Sequence, residues 1–188
     1  MIGATARRVR VWDLLVRTTH WTLAALVIAN LLNEGSSPIH RQLGTAALIV
    51  VAVRLLWGFV ATGYANFATF RPGARAFMAY AATMHKQKPK RYLGHNPAAA
   101  WMIVLLWGLV ILLGISGWMT RIDFFWGDEW LQDVHAAIAY VLLAAVAVHI
   151  TAALWMSRVH RENLVAAMWH GFKRAPDKSA ADTRDDAR

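Results

Sequence analysis

The sequence predicts an all-α membrane protein built as a bundle of four transmembrane helices. Of its 188 residues, 57% are hydrophobic, which is more than an ordinary soluble domain carries. Four apolar stretches are each long enough to cross a bilayer as a helix, which takes roughly 20 residues. The ten tryptophans fit this class, because indole rings favour membrane–water interfaces. The absence of cysteine excludes disulfides, iron–sulfur clusters and thiolate zinc sites.

The apolar segments place the four helices near residues 12–33, 39–60, 97–120 and 131–157. The third segment has the clearest start, because Asn96 is a suitable N-cap residue and Pro97 fits the first helical position. The first segment follows Arg7, Arg8 and Arg10 without a convincing small-residue cleavage site. We therefore expect it to be retained as a helix rather than removed as a signal peptide.

The remaining segments are loops and a tail. Residues 61–96 form a long loop, within which residues 71–85 predict a short amphipathic helix on the membrane surface. Residues 1–170 are predicted to make up one transmembrane domain. The polar residues 171–188 are expected to form a disordered tail.

Basic residues are concentrated on one side of the predicted bundle. The N-terminal flank, the long loop and the C-terminal flank share that side and carry most of the lysines and arginines. The other side has Arg41 and Arg121 together with five acidic residues. These are Glu34, Asp123, Asp128, Glu129 and Asp133. Because cytoplasmic loops are rich in Lys and Arg, both termini are predicted to be cytoplasmic. Topology thereby explains the net charge of +9, and nucleic-acid binding is not expected.

Four histidines in the predicted helices match in depth, two by two. His135 and His149 are fourteen residues apart, which is about 21 Å of helix and nearly four whole turns. They therefore share one face of the fourth helix at two depths. His40 begins the second helix at the depth of His135, and His20 lies in the first helix at the depth of His149. Burying an imidazole in the hydrocarbon of a membrane costs free energy, so histidines in transmembrane helices usually have a function.

Two imidazoles at each level favour a metal whose other ligands are supplied by a cofactor. A structural zinc site needs four ligands, and neither level has a nearby Cys, Asp or Glu. Haem iron needs two axial ligands because the porphyrin supplies four, and two axial histidines give a centre that transfers electrons. We therefore predict two haems stacked across the bilayer. His20 with His149 binds one haem, and His40 with His135 binds the other.

Arg17 and Arg54 are candidate partners for haem propionates. Arg17 lies one turn from His20, and Arg54 follows His40 by fourteen residues on nearly the same face, where a cation suits a carboxylate. Alternatively, each of the four histidines only hydrogen-bonds to a neighbouring helix, which leaves a haem-free transporter open. The other histidines are expected to be solvated or to face lipid headgroups; they are His85, His95, His160 and His170.

Several segments in this order resemble the bacterial cytochrome b561 family, which includes the b-type subunit of membrane-bound nickel–iron hydrogenases. They are "VRVWDLLVRTTHW" (9–21), "HRQLG" (40–44), "RLLWG" (54–58), "LGHNP" (93–97), "VHAAIAYVLLAAVAVH" (134–149) and "RENLVAAM" (161–168). Together they cover nearly all of residues 9–170. In the first segment, Leu15 and Thr18–Thr19 stand where the family often has a proline and an apolar pair.

The resemblance implies a four-helix bundle with two non-covalent b-type haems whose axial ligands are the same four histidines. It also implies electron transfer between membrane quinone and a partner on the outer face. We therefore expect a multi-pass protein of the bacterial inner membrane that passes electrons between the quinone pool and a periplasmic redox protein, such as a c-type cytochrome. The acidic residues on the outer side suit a basic cytochrome.

Other roles stay open at this point. The chain is also compatible with a membrane anchor or electron-transfer subunit of a larger oxidoreductase such as a hydrogenase. It is compatible too with a superoxide:quinone oxidoreductase, so whether the chain is itself a quinone oxidoreductase is undecided. A homodimer is likewise an open alternative.

Overall fold

The computed structural model describes residues 7–33, 35, 37–69, 73–85, 90–125 and 129–175. It contains six α-helices, which are α1 (Leu14–Leu32), α2 (Pro38–Val60), α3 (Ala74–His85), α4 (Pro97–Met119), α5 (Glu129–Val159) and α6 (Leu164–His170). Two short strands, β1 (Arg8–Arg10) and β2 (Phe172–Arg174), flank them. Helices α1, α2, α4 and α5 are long and apolar enough to cross a membrane. The predicted all-α fold with four spans is confirmed.

The spanning helices begin where their sequences supply caps. The Asp13 carboxylate accepts a hydrogen bond from the Val16 N–H at 2.7 Å, and the Ser37 hydroxyl accepts one from the His40 N–H at 3.1 Å. Asn96 caps α4 as predicted, through the Ala99 N–H at 2.7 Å. Each cap satisfies one of the free N–H groups of a first helical turn. The helix ends lie within two residues of the predicted ones.

The spanning helices pack as a chain of neighbours, α1 with α2, α2 with α4 and α4 with α5. The buried centre is contributed by α2, α4 and α5, through Ala47, Val51, Leu109, Val110, Leu142 and Ala145. Side chains of α1, among them Leu23 and Val27, pack against it from one side. Large apolar side chains such as Leu56 and Trp155 remain exposed on the outer faces, as expected for helices that face lipid hydrocarbon.

The two ends of the bundle differ in structure. At one end, α1 connects to α2 and α4 connects to α5; this is called the short-loop end below. The opposite end carries β1, α3, the 90–96 loop, α6 and β2, and is called the basic end. Helix α3 confirms the predicted amphipathic helix. Its Tyr80 is buried, with the hydroxyl 3.9 Å from the Met156 sulfur of α5.

A two-stranded antiparallel sheet joins the beginning and end of the described chain. Its register pairs Arg8 with Arg174, Val9 with Lys173 and Arg10 with Phe172. Gly171, at φ +89°, ends α6 in the left-handed region that glycine adopts without strain. Its carbonyl accepts hydrogen bonds from the Val11 N–H at 2.8 Å and the Trp12 N–H at 3.1 Å.

This sheet corrects one expectation from the sequence. A disordered tail beginning at residue 171 is wrong for residues 171–175, because pairing with β1 satisfies their backbone groups. Lys173 also packs its ammonium over the Trp12 ring, 5.4 Å from its centre, and is itself 8% exposed. The remainder of the predicted tail, 176–188, lies outside the described residues.

Candidate functional site

Two histidine pairs face each other inside the bundle, one near each end. At the short-loop end, the ring centres of His40 on α2 and His135 on α5 are 6.1 Å apart. At the basic end, the ring centres of His20 on α1 and His149 on α5 are 6.3 Å apart. All four rings are partly buried. The structure therefore brings together the residues that the sequence paired, and their role as metal ligands stays a prediction.

Hydrogen bonds at the short-loop end are made by the Nδ1 atoms of His40 and His135. The Nδ1 atom of His40 lies 2.9 Å from the Asn33 carbonyl oxygen, which only accepts, so that Nδ1 carries the hydrogen. The Nδ1 atom of His135 lies 2.8 Å from the Ser116 hydroxyl. That hydroxyl also lies 3.2 Å from the Leu113 carbonyl, so when it donates to Leu113 it accepts from His135. With Nδ1 as the donor, each ring in its neutral form has an unprotonated Nε2, the form that binds a metal.

The basic end collects buried polar atoms that have no hydrogen-bond partner among the described residues. They include the Nε of Arg17, the Nδ1 of His20 and the Nε1 of Trp21, all on α1, and the Nη1 of Arg54 on α2. Buried polar groups are normally hydrogen-bonded, so these unsatisfied atoms indicate missing partners. The two arginines among them suit an anionic acceptor.

Arg54 contacts two aromatic rings, and the Asp13 carboxylate is near enough to interact with its charge. It is 8% exposed, and its guanidinium lies 5.7 Å from the centre of the Phe67 ring and 5.5 Å from that of Trp107. One nitrogen donates to the Ala65 carbonyl at 3.3 Å. Such contacts orient a cation without neutralising it. The Nη1 atom of Arg54 has no hydrogen-bond partner among the described residues and is therefore available to an anion.

His95 is a residue at this site that the sequence analysis assigned wrongly. It was expected to be solvated or at the headgroups, but its ring packs on Trp12 with the ring centres 4.6 Å apart. Burial, with Arg54 and Lys173 nearby, lowers the pKa of His95 to about 3, so its ring is neutral at pH 7. The sequence did contain a signal for this position of His95. His95 directly precedes Asn96, the N-cap of α4, so its backbone is held at the start of that helix.

The two pairs are separated by a packed apolar layer. Ala47 follows His40 by seven residues, Leu142 lies midway between His135 and His149, and both side chains are buried in the core. Over the fourteen residues of α5 between the histidines, the two levels are about 21 Å apart. Among the residues that the structure describes, no group of three or more His, Cys, Asp or Glu residues is placed to hold a metal ion. Each level therefore presents one pair of histidines.

A membrane-spanning helical bundle with histidine pairs facing each other in its interior has the architecture of a membrane-bound b-type cytochrome. A family model described as prokaryotic cytochrome b561 matches residues 11–171 of this sequence. The chain belongs to this family, which confirms the resemblance identified in the sequence. Membership assigns b-type haem binding and electron transfer in a membrane to the chain. Comparisons with curated proteins and with solved structures give no significant match.

Proposed function

We propose that this chain transfers electrons through two b-type haems, between the quinone pool and a redox partner on the periplasmic side of a bacterial inner membrane. The observation that carries the proposal is the pair of matched histidine separations at two depths, 6.1 Å and 6.3 Å between ring centres. In this proposal His40 and His135 would hold the haem iron at one level, and His20 and His149 would hold it at the other.

The separations fit a shared metal ion. An imidazole nitrogen binds a metal at about 2.0 Å, and the ring centre lies about 1.1 Å beyond that nitrogen. Two imidazoles on opposite sides of one ion therefore have ring centres about 6 Å apart, as both pairs do. A direct histidine–histidine hydrogen bond would join two ring nitrogens at about 2.9 Å. None is found between the paired rings in the described chain.

The packing supports a flat ligand at each level. His20 and His149 lie on α1 and α5, and His40 and His135 lie on α2 and α5. Neither of these helix pairs is among the closely packed neighbours in the described part of the bundle. At the short-loop end, a side chain at Gly117 would come within 3.2 Å of the His135 ring. The helices that carry each histidine pair are therefore not packed closely against each other in the described part of the bundle.

Arg17 and Arg54 are the proposed partners of propionates at the basic end. Each has a buried guanidinium nitrogen without a protein acceptor in the described residues. A carboxylate placed there would receive charge-assisted hydrogen bonds from a fork-shaped donor. When bound, the haems supply two one-electron carriers at separate depths. The chain contributes neutral ligand rings, cations for the propionates and the apolar layer between the two levels.

A groove at the basic end is the proposed quinone site. Its volume is about 490 Å³, and it is lined by Asp13, Leu14, Leu15, Thr18 and Trp57. The indole N–H of Trp57 donates to the Asp13 carboxylate at 3.0 Å. Leu14 is 60% exposed on the outer face. A groove with apolar walls and one polar pair suits a lipid-soluble ring that carries two oxygens.

The proposed orientation rests on charge. Basic residues at the two described ends of the chain and in the 90–96 loop support a cytoplasmic position for the basic end. The short-loop end carries Asp123, Glu129 and Asp133 in its described part, beside Arg41 and Arg121; Glu34 and Asp128 lie outside it. An acidic surface would speed encounters with a basic periplasmic cytochrome.

The deciding experiment counts haem per chain in the purified protein and records its reduced-minus-oxidised visible spectrum. We expect two haems with low-spin b-type bands, and one haem each in His135→Ala and His149→Ala. The matched control His160→Ala should keep two, because His160 lies beyond α5 and outside both pairs. One haem in the unaltered protein, or loss of both haems from a folded single variant, would refute the pairing.

The quinone part is tested separately. A short-chain quinol should reduce the haems, and Thr18→Phe, which fills the groove, should raise the KM for quinol without changing haem content. An unchanged KM would remove the groove from the proposal while leaving the haem assignment intact.

A further inference from the structure

A cavity lies where the β1–β2 sheet meets α6, and none of the four paired histidines lines it. Its volume is about 270 Å³, and its walls include Arg8, Glu162, His170, Phe172, Lys173 and Arg174. We call it the basic cavity. Since one water occupies about 30 Å³ in the liquid, the basic cavity has room for a polyatomic group.

The basic cavity is positive because its acid is already paired. Glu162 forms a bidentate ion pair with Arg91, 3.0 Å to each carboxylate oxygen, and accepts the Arg174 N–H at 2.6 Å. Burial acts to raise the pKa of Glu162, but these donors outweigh it and lower that pKa, so the carboxylate is ionised. Its charge is balanced by Arg91, which does not line the cavity. Arg8, Lys173 and Arg174 then remain as net positive charge.

Two of these cations are placed directly opposite each other. Arg8 and Arg174 are cross-strand partners in the sheet, and both are exposed. Side chains directly opposite in an antiparallel pair have Cβ atoms about 4.5–5.5 Å apart, and like charges there destabilise the pairing. An anion between the two guanidinium groups would turn this repulsion into two attractions. Lys173, which also lines the cavity, is buried with its ammonium over the Trp12 ring and adds a third positive charge.

His170 adds a hydrogen-bond donor. The Phe172 N–H donates to its Nδ1 atom at 3.0 Å, so the ring hydrogen is on Nε2, where it can be donated. The basic cavity therefore combines two guanidinium forks with an imidazole N–H. Guanidinium groups match the paired oxygens of a phosphate in charge and in geometry.

The surroundings of the basic cavity indicate where such an anion would come from. On α6, Trp169 is 68% exposed and packs edge-on against Trp21 of α1, with ring centres 5.7 Å apart. Phe172, which lines the cavity, is 40% exposed. Exposed aromatic rings beside a spanning helix lie at the level of lipid headgroups. Basic clusters at that level attract anionic lipids.

We propose that the basic cavity binds a phosphate-bearing anion between Arg8 and Arg174, and that in the membrane this anion is the phosphodiester of an acidic lipid headgroup. The bound anion would hold β1 against β2. The proposal does not depend on the number of haems or on the electron partner.

The test measures binding to the full-length, haem-loaded protein in neutral detergent by native mass spectrometry. The probes are short-chain phosphatidylglycerol, short-chain phosphatidylcholine and inorganic phosphate. We expect phosphatidylglycerol to bind more tightly than phosphatidylcholine. Each of Arg8→Gln and Arg174→Gln should weaken phosphatidylglycerol binding about fivefold, and the double variant about 25-fold. The double lysine variant, which keeps both charges, should stay within about fivefold of the unaltered protein.

Arg75→Gln is the matched control, because Arg75 is an exposed arginine of α3 that does not line the basic cavity. It should change binding less than twofold. An unaltered visible spectrum shows that a variant is folded. Preference for inorganic phosphate over the lipid would keep the phosphate site and overturn the lipid as its source. Equal binding by the unaltered protein and the double glutamine variant, or an equal loss in Arg75→Gln, would overturn the site itself.

Discussion

Removing one hydroxyl should weaken cofactor binding at one level of the bundle and leave the other level unchanged. Ser116 is 5% exposed, and its hydroxyl lies 2.8 Å from the Nδ1 of His135, which donates to it when Nε2 binds a metal. In Ser116→Ala the Nδ1–H loses this acceptor, and the ring loses the bond that sets its orientation and protonation. Loss of such an outer partner costs about 10–100-fold in metal affinity, or about 1.4–2.7 kcal/mol.

The assay is the transfer of haem from the purified variant to an excess of apomyoglobin, together with a redox titration. About half of the haem should transfer faster by one to two orders of magnitude, and one of two midpoint potentials should shift. Thr45→Ala is the control, since it removes a hydroxyl from α2 that bonds the Arg41 carbonyl and lies on the exposed face. Faster transfer of all the haem, or of none, would refute the assignment of Ser116 to a single level.

Three further changes test the packing at the basic end. Gly58→Ala places a Cβ against the Phe67 ring, so the ring must move, and thermal melting should show a loss of about 1–3 kcal/mol. Arg91→Met leaves the Glu162 carboxylate, 10% exposed, without its guanidinium and should cost about 1–3 kcal/mol in denaturant unfolding. His95→Phe should remove an acid-dependent loss of stability. The unfolded chain protonates this histidine below pH 6.5, whereas the folded chain does so only near pH 3. As the pH is lowered from 6.5 to 3, the free energy of unfolding of the unaltered protein therefore falls by up to about 1.4 kcal/mol per pH unit.

Matched substitutions separate these effects from general damage. Gly108→Ala is the control for Gly58, because nothing lies within 4 Å of a Cβ placed there, and it should be tolerated. Arg75→Gln serves for Arg91. For His95→Phe, the slope of the free energy of unfolding against pH is compared with that of the unaltered protein. A loss of packing alone would lower the stability at every pH and leave this slope unchanged. An unchanged slope in His95→Phe would show that another group causes the acid sensitivity.

The features readable from the sequence were those fixed by local composition and by helix geometry. Apolar length alone located the four spans, because a helix must satisfy its own backbone in a membrane. Asn96 and Pro97 fixed the start of α4. The spacing of His135 and His149 placed them on one face at two depths, and the structure sets His40 and His20 opposite them.

Features that depend on contacts far apart in the sequence were not readable. The sheet joins Arg8–Arg10 to Phe172–Arg174, and three residues with two or more cations give no strand signal by themselves. The burial of His95 depends on Trp12, which lies more than eighty residues earlier. Helix α6 did carry local signals, an Asn163 cap and a Gly171 stop, but the segment was interpreted as the flank of the fourth span.

The β1–β2 sheet also sets the order in which the protein is completed during synthesis. The N–H of Trp12 leaves the ribosome early, yet the Gly171 carbonyl that accepts its hydrogen bond arrives after all four spans have been made. All four histidines are present once α5 has emerged, so the short-loop end then has both of its rings. The basic end is completed only when Gly171 has been made, because Gly171 packs directly on Trp12 and Arg17. A Cβ placed on Gly171 would lie 2.6 Å from the Trp12 carbonyl oxygen and 3.3 Å from the Arg17 side chain. The two levels of one bundle are therefore finished at different times, and the end that holds His20 is the last to close.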